Sequence, residues 1–343
     1  MAGVRLLFLA LALLLVAQPN ARAQEIPPVA PLPVERPTFD VWLSVLREEA
    51  IARGIRPAIV DAAFAGIEPV EQVLERDRTQ AEFTLDLEAY LRRRLTPATV
   101  RSAQRLYATH RALVQRIGKT YGVDSRILVA IWGLESNFGR FAGVRPTVAT
   151  LATLAYDPRR GTMFRNELLA ALEILNRGDI ELEKLRGSWA GALGQPQFMP
   201  SSYLKYAQDF DEDGRRDIWS SLPDVFASIA YFLQQHGWKS GQLWGREVTV
   251  SAALRETLDE LPRRETGCRA QRLMTEPKPL TAWAKLGIRT VARRPLPRST
   301  VDASLVAAGT RSFLLYENYE SLLGYNCAHS YALSVALLAE RLK

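Results

Sequence analysis

Apolar residues in this chain recur mostly at helical spacing from residue 39 onwards. Trp42, Leu43, Val45 and Leu46 open one amphipathic segment, and Ile59, Val60, Ala63 and Phe64 mark another. Further helices are predicted over 82–94, 97–121, 164–175 and 222–236. After Trp244 the texture changes. Residues 247–250 and 312–319 read as strands, separated by connections that contain Pro, Arg and Gly, before a last helix over 328–342. The predicted class is mainly α (α+β), with a small β-containing part near the C-terminus.

One predicted helix carries an unusual acid. The run Ile127-Leu-Val-Ala-Ile-Trp-Gly-Leu-Glu-Ser-Asn-Phe-Gly139 has Glu135 as its single charged residue. Asp124 suits the helix N-cap, and Gly139 suits its end. Leu128, Ile131 and Trp132 lie seven, four and three residues before Glu135, so they share its face. A carboxyl on an apolar face is costly to ionise, so its pKa rises towards neutrality, where a general acid is useful. A helix-terminal Glu that reaches solvent or pairs with Arg140 fits the same position, and the run alone leaves both readings open.

A second stretch is Gly187-Ser-Trp-Ala-Gly-Ala-Leu-Gly-Gln-Pro-Gln-Phe-Met-Pro-Ser-Ser-Tyr203. Its glycines let backbone approach closely. Ser188, Gln195, Gln197 and Ser202 offer neutral hydrogen-bonding groups beside the flat apolar surfaces of Trp189, Phe198, Met199 and Tyr203. That mixture suits a sugar bearing acetamido groups better than a phosphate or a metal. It also suits a glycine-rich loop packed into a core.

The third stretch, Asp209-Phe-Asp-Glu-Asp-Gly-Arg-Arg-Asp-Ile-Trp219, follows the calcium-loop pattern D-x-D-x-D-G. Arg215 would offer its carbonyl at position seven. Position twelve is Ser220, where a bidentate Glu is expected, and Asp224 follows four residues later to close a longer loop, 209–224. Five acids within nine residues repel one another unless a cation binds, which favours calcium over a solvated acidic turn.

Composition narrows the setting. The chain has 343 residues, 48% hydrophobic and 24% charged, which is the profile of a folded protein. Residues 1–23 read as a secretory signal: Arg5 provides the positive start, residues 6–16 are apolar, and Ala21-Arg-Ala23 fits the cleavage pattern. The apolar run is too short to span a bilayer, and no transmembrane segment is expected elsewhere. Residues 24–37 contain Pro27, Pro28, Pro31, Pro33 and Pro37 and read as an extended tether. Cleavage after Ala23 removes Arg5 and Arg22 and no acids, so the net charge falls from +7 to +5. A mild basic excess suits an anionic partner. With no Lys/Arg run interleaved with aromatics, a nucleic-acid partner is not expected. In an exported chain the two cysteines, Cys268 and Cys327, are expected to form a structural disulfide.

Several chemistries lack their motifs. There is no H-E-x-x-H, no Walker loop, no G-x-G-x-x-G and no G-x-S-x-G. His110, His236 and His329 are far apart and read as structural. No second acid is obviously paired with Glu135; Asp157, Glu167 and Glu173 are near in sequence but fit surface or salt-bridge roles.

Taken together and in order, Gly133-Leu-Glu-Ser-Asn-Phe-Gly139, the run 191–203, the calcium-like loop ending in Ile218-Trp219, His236-Gly-Trp238, and Tyr325-Asn326 with Tyr331 resemble the lytic murein transglycosylases of the membrane-bound lytic transglycosylase B family. The resemblance covers about residues 39–342. It implies a helical region and lysozyme-like α core within 38–244, a small β-containing domain over 245–320, and a segment, 321–343, returning to the groove. It also implies cleavage of the β-1,4 bond between N-acetylmuramic acid and N-acetylglucosamine in periplasmic peptidoglycan, by a monomer with no organic cofactor. Position by position, Glu135 is the single catalytic acid/base. Ser188, Gln197, Phe198, Met199 and Ser202 line the saccharide groove, which Tyr325, Asn326 and Tyr331 close. Asp209, Asp211, Asp213, the Arg215 carbonyl and Asp224 hold a structural Ca2+. Phe232 stands where the family often has tyrosine, which would remove one hydroxyl contact to sugar, and Cys327 stands where cysteine is uncommon. A hydrolytic muramidase on the same bond, or a non-catalytic peptidoglycan-binding protein, are the readings that compete.

Overall fold

The Ser125–Ser136 helix runs through the middle of the fold. Asp124 caps it by accepting the Arg126 amide at 2.9 Å, as its position in the sequence predicts. The expected single apolar face proves to be an apolar cylinder: residues 127–134 are all buried. Helices Pro97–Thr109, Arg111–Tyr121, Leu222–Gln235 and His329–Ala339 pack around it, so between its first and last turns no side of it faces water. It also ends earlier than expected. Asn137 (φ 50°) takes the left-handed cap in place of Gly139.

This computed structural model describes residues 36–80 and 86–343. The signal segment, 1–23, and the tether up to residue 35 lie outside the described residues. Thr38–Lys343 cluster as one unit. The helix predicted over 97–121 is two helices, Pro97–Thr109 and Arg111–Tyr121. They break at His110, whose ring packs edge-on against Trp132 at 6.0 Å and so draws the chain onto the central helix. Of the helix predicted over 82–94, Leu87–Arg94 is described, and Asp86 caps it by accepting the Ala89 amide at 2.7 Å. Thr147–Tyr156 was not anticipated. Its sequence, TVATLATLAY, shows no polar face because eight of its ten residues are buried, so it carries no amphipathic period. It packs chiefly on Gly161–Arg177. Among the described residues no single helix is long and apolar enough to cross a membrane.

The β-containing part is a five-stranded antiparallel sheet in the spatial order Lys278–Pro279, Asp302–Ala308, Arg311–Leu315, Gly245–Thr249, Arg289–Thr290. Its side chains alternate between two cores. Leu305 and Leu314 join Trp283 and Ile288 in a small core of their own, whereas Val306, Phe313 and Leu315 join the main core. The strand expected over 312–319 stops at Leu315, and helix Glu317–Tyr325 begins two residues later. The apolar run reads straight across that junction, so periodicity could not mark it. Glu317 and Glu320 in the first helical turn are the local sign of the change.

Cys268 and Cys327 are bonded. The bond ties the start of the Arg269–Arg272 turn to the segment directly after Tyr325 and Asn326. Alongside it Arg264 pairs with Glu320 at 2.7 Å. For cysteines 59 residues apart, loop closure is worth about 4 kcal/mol. We expect a Cys268→Ser/Cys327→Ser variant to unfold in urea at a clearly lower midpoint, with that order of stability lost. An unchanged midpoint would mean that packing alone holds the C-terminal segment.

Candidate active site

The last turn of the central helix and the residues after it form a tight knot. A Cβ on Gly133 would lie 2.4 Å from the Phe138 ring, so glycine is what lets that ring fold back onto the helix. Ser136 donates to the Trp132 carbonyl at 3.0 Å and accepts the Gly139 amide at 3.0 Å. Asn137, Phe138 and Gly139 are all left-handed, and a Cβ on Gly139 would sit 2.5 Å from the Gln195 side-chain oxygen. The turn holds Glu135 with its backbone determined on both sides.

Glu135 is half-buried. Burial pushes its carboxyl up to about 7, against the Tyr331 hydroxyl and the Arg94 charge, both of which pull it down. Its place at a helix C-terminus, the negative end of the dipole, also disfavours the charged form. Tyr331 is buried, and its hydroxyl closes no hydrogen bond at good geometry elsewhere. Its ring stacks on Tyr325 at 6.2 Å and 16°. Tyr325 donates its hydroxyl to the Pro196 carbonyl at 2.7 Å, pinning the C-terminal segment to the glycine-rich stretch.

Tyr325, which faces this carboxyl, also lines a groove of about 210 Å³; Glu135 itself is not in the lining. Gln197, Phe198, Met199, Ser202 and Tyr325 line it. Lys205, Tyr206, Phe232, His236 and Gly324 complete it. Phe232 stacks on His236 at 3.9 Å and packs against Tyr325 at 4.7 Å, so the ring that lacks a hydroxyl serves as aromatic wall. Ser188 is not in the groove lining; its hydroxyl oxygen accepts the Ala190 and Ala192 amides and shapes the loop. Asn326 is exposed at the end of the Glu317–Tyr325 helix, outside the lining, and Tyr331 sits behind Tyr325. Gln195, read from the sequence as a possible sugar contact, is a buried structural tie. It accepts from the Trp132 indole at 2.6 Å and donates to the Trp219 carbonyl at 2.7 Å.

The three nearby acids are otherwise engaged. Asp157 pairs with Arg159 at 3.1 Å, Glu173 with Arg177 at 2.9 Å, and Glu167 accepts the Ser201 amide and hydroxyl at 2.9 and 2.7 Å. Among the described residues, the groups acting on the charge of Glu135 are Tyr331, Arg94 and Tyr325, and none is a carboxyl. Arg94 is the functional candidate that the sequence did not disclose. It comes from a separate helix and lies in a run of three arginines with nothing local to single it out.

In the acidic loop, Asp209, Asp211 and Asp213 converge so that one oxygen of each lies within 4.8 Å of the others. Asp224 is not brought into that cluster. It is fully buried, and its two oxygens accept the Phe210 and Asp217 amides at 2.7 and 2.8 Å, fastening both ends of the loop to the Leu222–Gln235 helix. Burial, with the like charges of Asp211 and Asp209 adding to it, pushes the Asp224 carboxyl up to about 6. A set of hard oxygen donors under mutual repulsion fits a calcium ion.

The transglycosylase SLT domain family matches residues 38–340. Over 153 residues, 44% of this chain, the sequence is 36% identical to membrane-bound lytic murein transglycosylase B of Escherichia coli strain K12; the match spans 42% of that protein's length. SltB3 from Pseudomonas aeruginosa, solved in complex with NAG-anhNAM-pentapeptide, is similar at a TM-score of 0.80 and 40% identity, over 88% of this chain and 78% of that one. The lytic transglycosylase SLT35 of Escherichia coli, solved in complex with calcium, is similar at a TM-score of 0.73 and 26% identity, over 87% and 91% of the two chains.

A raised carboxyl pKa is also a stability statement. Because Glu135 binds its proton more tightly folded than unfolded, its contribution is intact below about pH 4.5 and is lost as pH rises through about 7. Glu135→Gln, which cannot ionise, should therefore be more stable than the parent above pH 7. The gain should approach about 3 kcal/mol and vanish towards pH 4.5. Urea unfolding of both proteins at pH 4.5, 6 and 8 reads this directly. A difference independent of pH would show that the acid titrates normally.

Proposed function

We propose that this chain, which belongs to the transglycosylase SLT domain family, is a lytic transglycosylase acting on peptidoglycan glycan strands. One observation carries the reading: a half-buried carboxyl whose pKa burial raises to about 7 faces Tyr325, a wall of an aromatic-lined groove, and among the described residues no second carboxyl acts on it. Glycosidases that use two acids place them roughly 5 to 9.5 Å apart. Here one acid serves both halves of the reaction.

In the first half, protonated Glu135 donates to the glycosidic oxygen between N-acetylmuramic acid and N-acetylglucosamine. The bond from that oxygen to C1 breaks as oxocarbenium character develops. The 2-acetamido oxygen of the muramic residue stabilises C1 from the opposite face. In the second half, the C6 hydroxyl attacks C1, and ionised Glu135 takes its proton. The sugar closes as a 1,6-anhydro ring, the acid regains its starting state, and water is not consumed. Gln197, Phe198, Met199, Ser202 and Tyr325 support this by offering amide, hydroxyl and ring faces to a saccharide. Ser188 acts on the groove through the loop that it shapes. The complex of SltB3 with NAG-anhNAM-pentapeptide fits such a product.

The acidic loop is proposed to bind Ca2+ structurally through Asp209, Asp211 and Asp213, with the Arg215 carbonyl as a further donor, while Asp224 fastens the loop from within. The ion would neutralise the loop's charge; the loop reaches the catalytic helix through Trp219 and Gln195. An exported, periplasmic monomer with a cleaved signal segment fits the sequence.

Digestion of purified peptidoglycan should release anhydro-muropeptides, identified by mass spectrometry, and Glu135→Gln should release none. Reducing-end products would instead establish a hydrolase, and no release by the folded parent would favour a binding protein. Chelation should lower the melting temperature by several degrees, with calcium restoring it. An Asp209→Asn/Asp213→Asn variant should melt at the lower temperature whether or not calcium is added. If chelation left melting unchanged, the site would be withdrawn.

A further inference from the structure

Arg94 ends the Leu87–Arg94 helix, outside every motif considered above. Its guanidinium donates to the carbonyl of Leu134, the residue directly before the acid. That carbonyl is in the last turn of the central helix, where no helical amide remains to pair with it. The Arg94 Nε is buried and has no hydrogen-bond partner, an arrangement that normally carries a penalty. The guanidinium is always charged, and it acts on Glu135 through space. Among the described residues, the other groups that face this carboxyl are both neutral phenols, Tyr331 on the His329–Ala339 helix and Tyr325 on the Glu317–Tyr325 helix.

We propose that Arg94 is a positioning residue for the reaction: it clamps the backbone one residue before Glu135 and supplies the positive charge that stabilises the carboxylate formed when the proton leaves. The proposal rests on the single-acid reading above. A lone acid must be a good donor in the first half and then persist as a carboxylate in the second. Burial and the negative helix end oppose that carboxylate. Arg94 opposes them in turn, and its cap on the Leu134 carbonyl keeps its charge at a constant place relative to the acid.

The test separates charge from clamping. In the full chain, Glu135 is titrated by NMR of 13C-labelled glutamate, assigned with Glu135→Gln, in the parent and in Arg94→Gln and Arg94→Lys. We expect the Glu135 midpoint to move up by about one pH unit in Arg94→Gln and to return most of the way in Arg94→Lys. With peptidoglycan fragments, the alkaline limb of kcat/KM should follow the same midpoints. In Arg94→Gln, kcat should fall about tenfold, with little change in KM. A purely structural cap predicts lower melting in both variants and an unmoved titration, which would overturn the proposal. Arg94→Met, which keeps the stem's packing, serves if the Gln variant does not fold. Because the titration needs no turnover, an inactive chain would refute the lytic reading and still leave the role of Arg94 measurable.

Discussion

A carboxyl at the end of a helix that has no solvent face is the constraint on which this protein is arranged. Residues 127–134 are buried on all sides, so towards its C-terminus this helix reaches water only where it stops. Glu135 lies in the final turn, and the reversal through Asn137, Phe138 and Gly139 follows at once. Burial and the helix dipole both act to keep it protonated. Tyr331 and Arg94 act the other way, and the balance falls near neutrality, where both protonation states are accessible. The donor-then-acceptor role proposed for Glu135 needs that balance.

The position of the carboxyl is transmitted by neutral hydrogen bonds. Gln195 holds the Trp132 indole of the central helix on one side and the Trp219 carbonyl of the acidic loop on the other, while its own amide donates to the Ile218 carbonyl. One buried side chain therefore ties together the acid's helix, the glycine-rich stretch and the calcium-like loop. Each of these bonds is modest in net energy, but leaving a buried partner unpaired costs about 1–3 kcal/mol, so the set is strongly specified. Close approach at this tie also explains the glycine at 139, where any side chain would displace the Gln195 oxygen.

The far wall of the groove arrives from the other end of the chain. Tyr325 stacks with Tyr331, packs on Phe232 and is fixed to Pro196, and the disulfide at Cys327 holds the same segment from behind. The sheet adds rigidity by packing one face onto the main core. The groove is thus assembled from segments that are individually short and are held at several points.

The sequence by itself determined the helical character of the chain, a lone acid in an apolar run, and the glycine-rich and acidic loops; the reading of Glu135, Tyr325 and Tyr331 as one site came from the family resemblance. The local features are written in spacing: a lone acid in an apolar run, closely spaced glycines, and acids alternating around a turn. Tertiary structure decided what local spacing does not encode. It enclosed the central helix on every side, because burial depends on which helices pack there. It divided the apolar run after Arg311 into strand and helix, a boundary that hydrophobicity does not register. It engaged Gln195 and Ser188 in structure rather than in the groove, since the composition of a polar side chain does not say which partner it meets. It also brought Arg94 to Glu135 across forty-one residues, a meeting that only long-range packing creates.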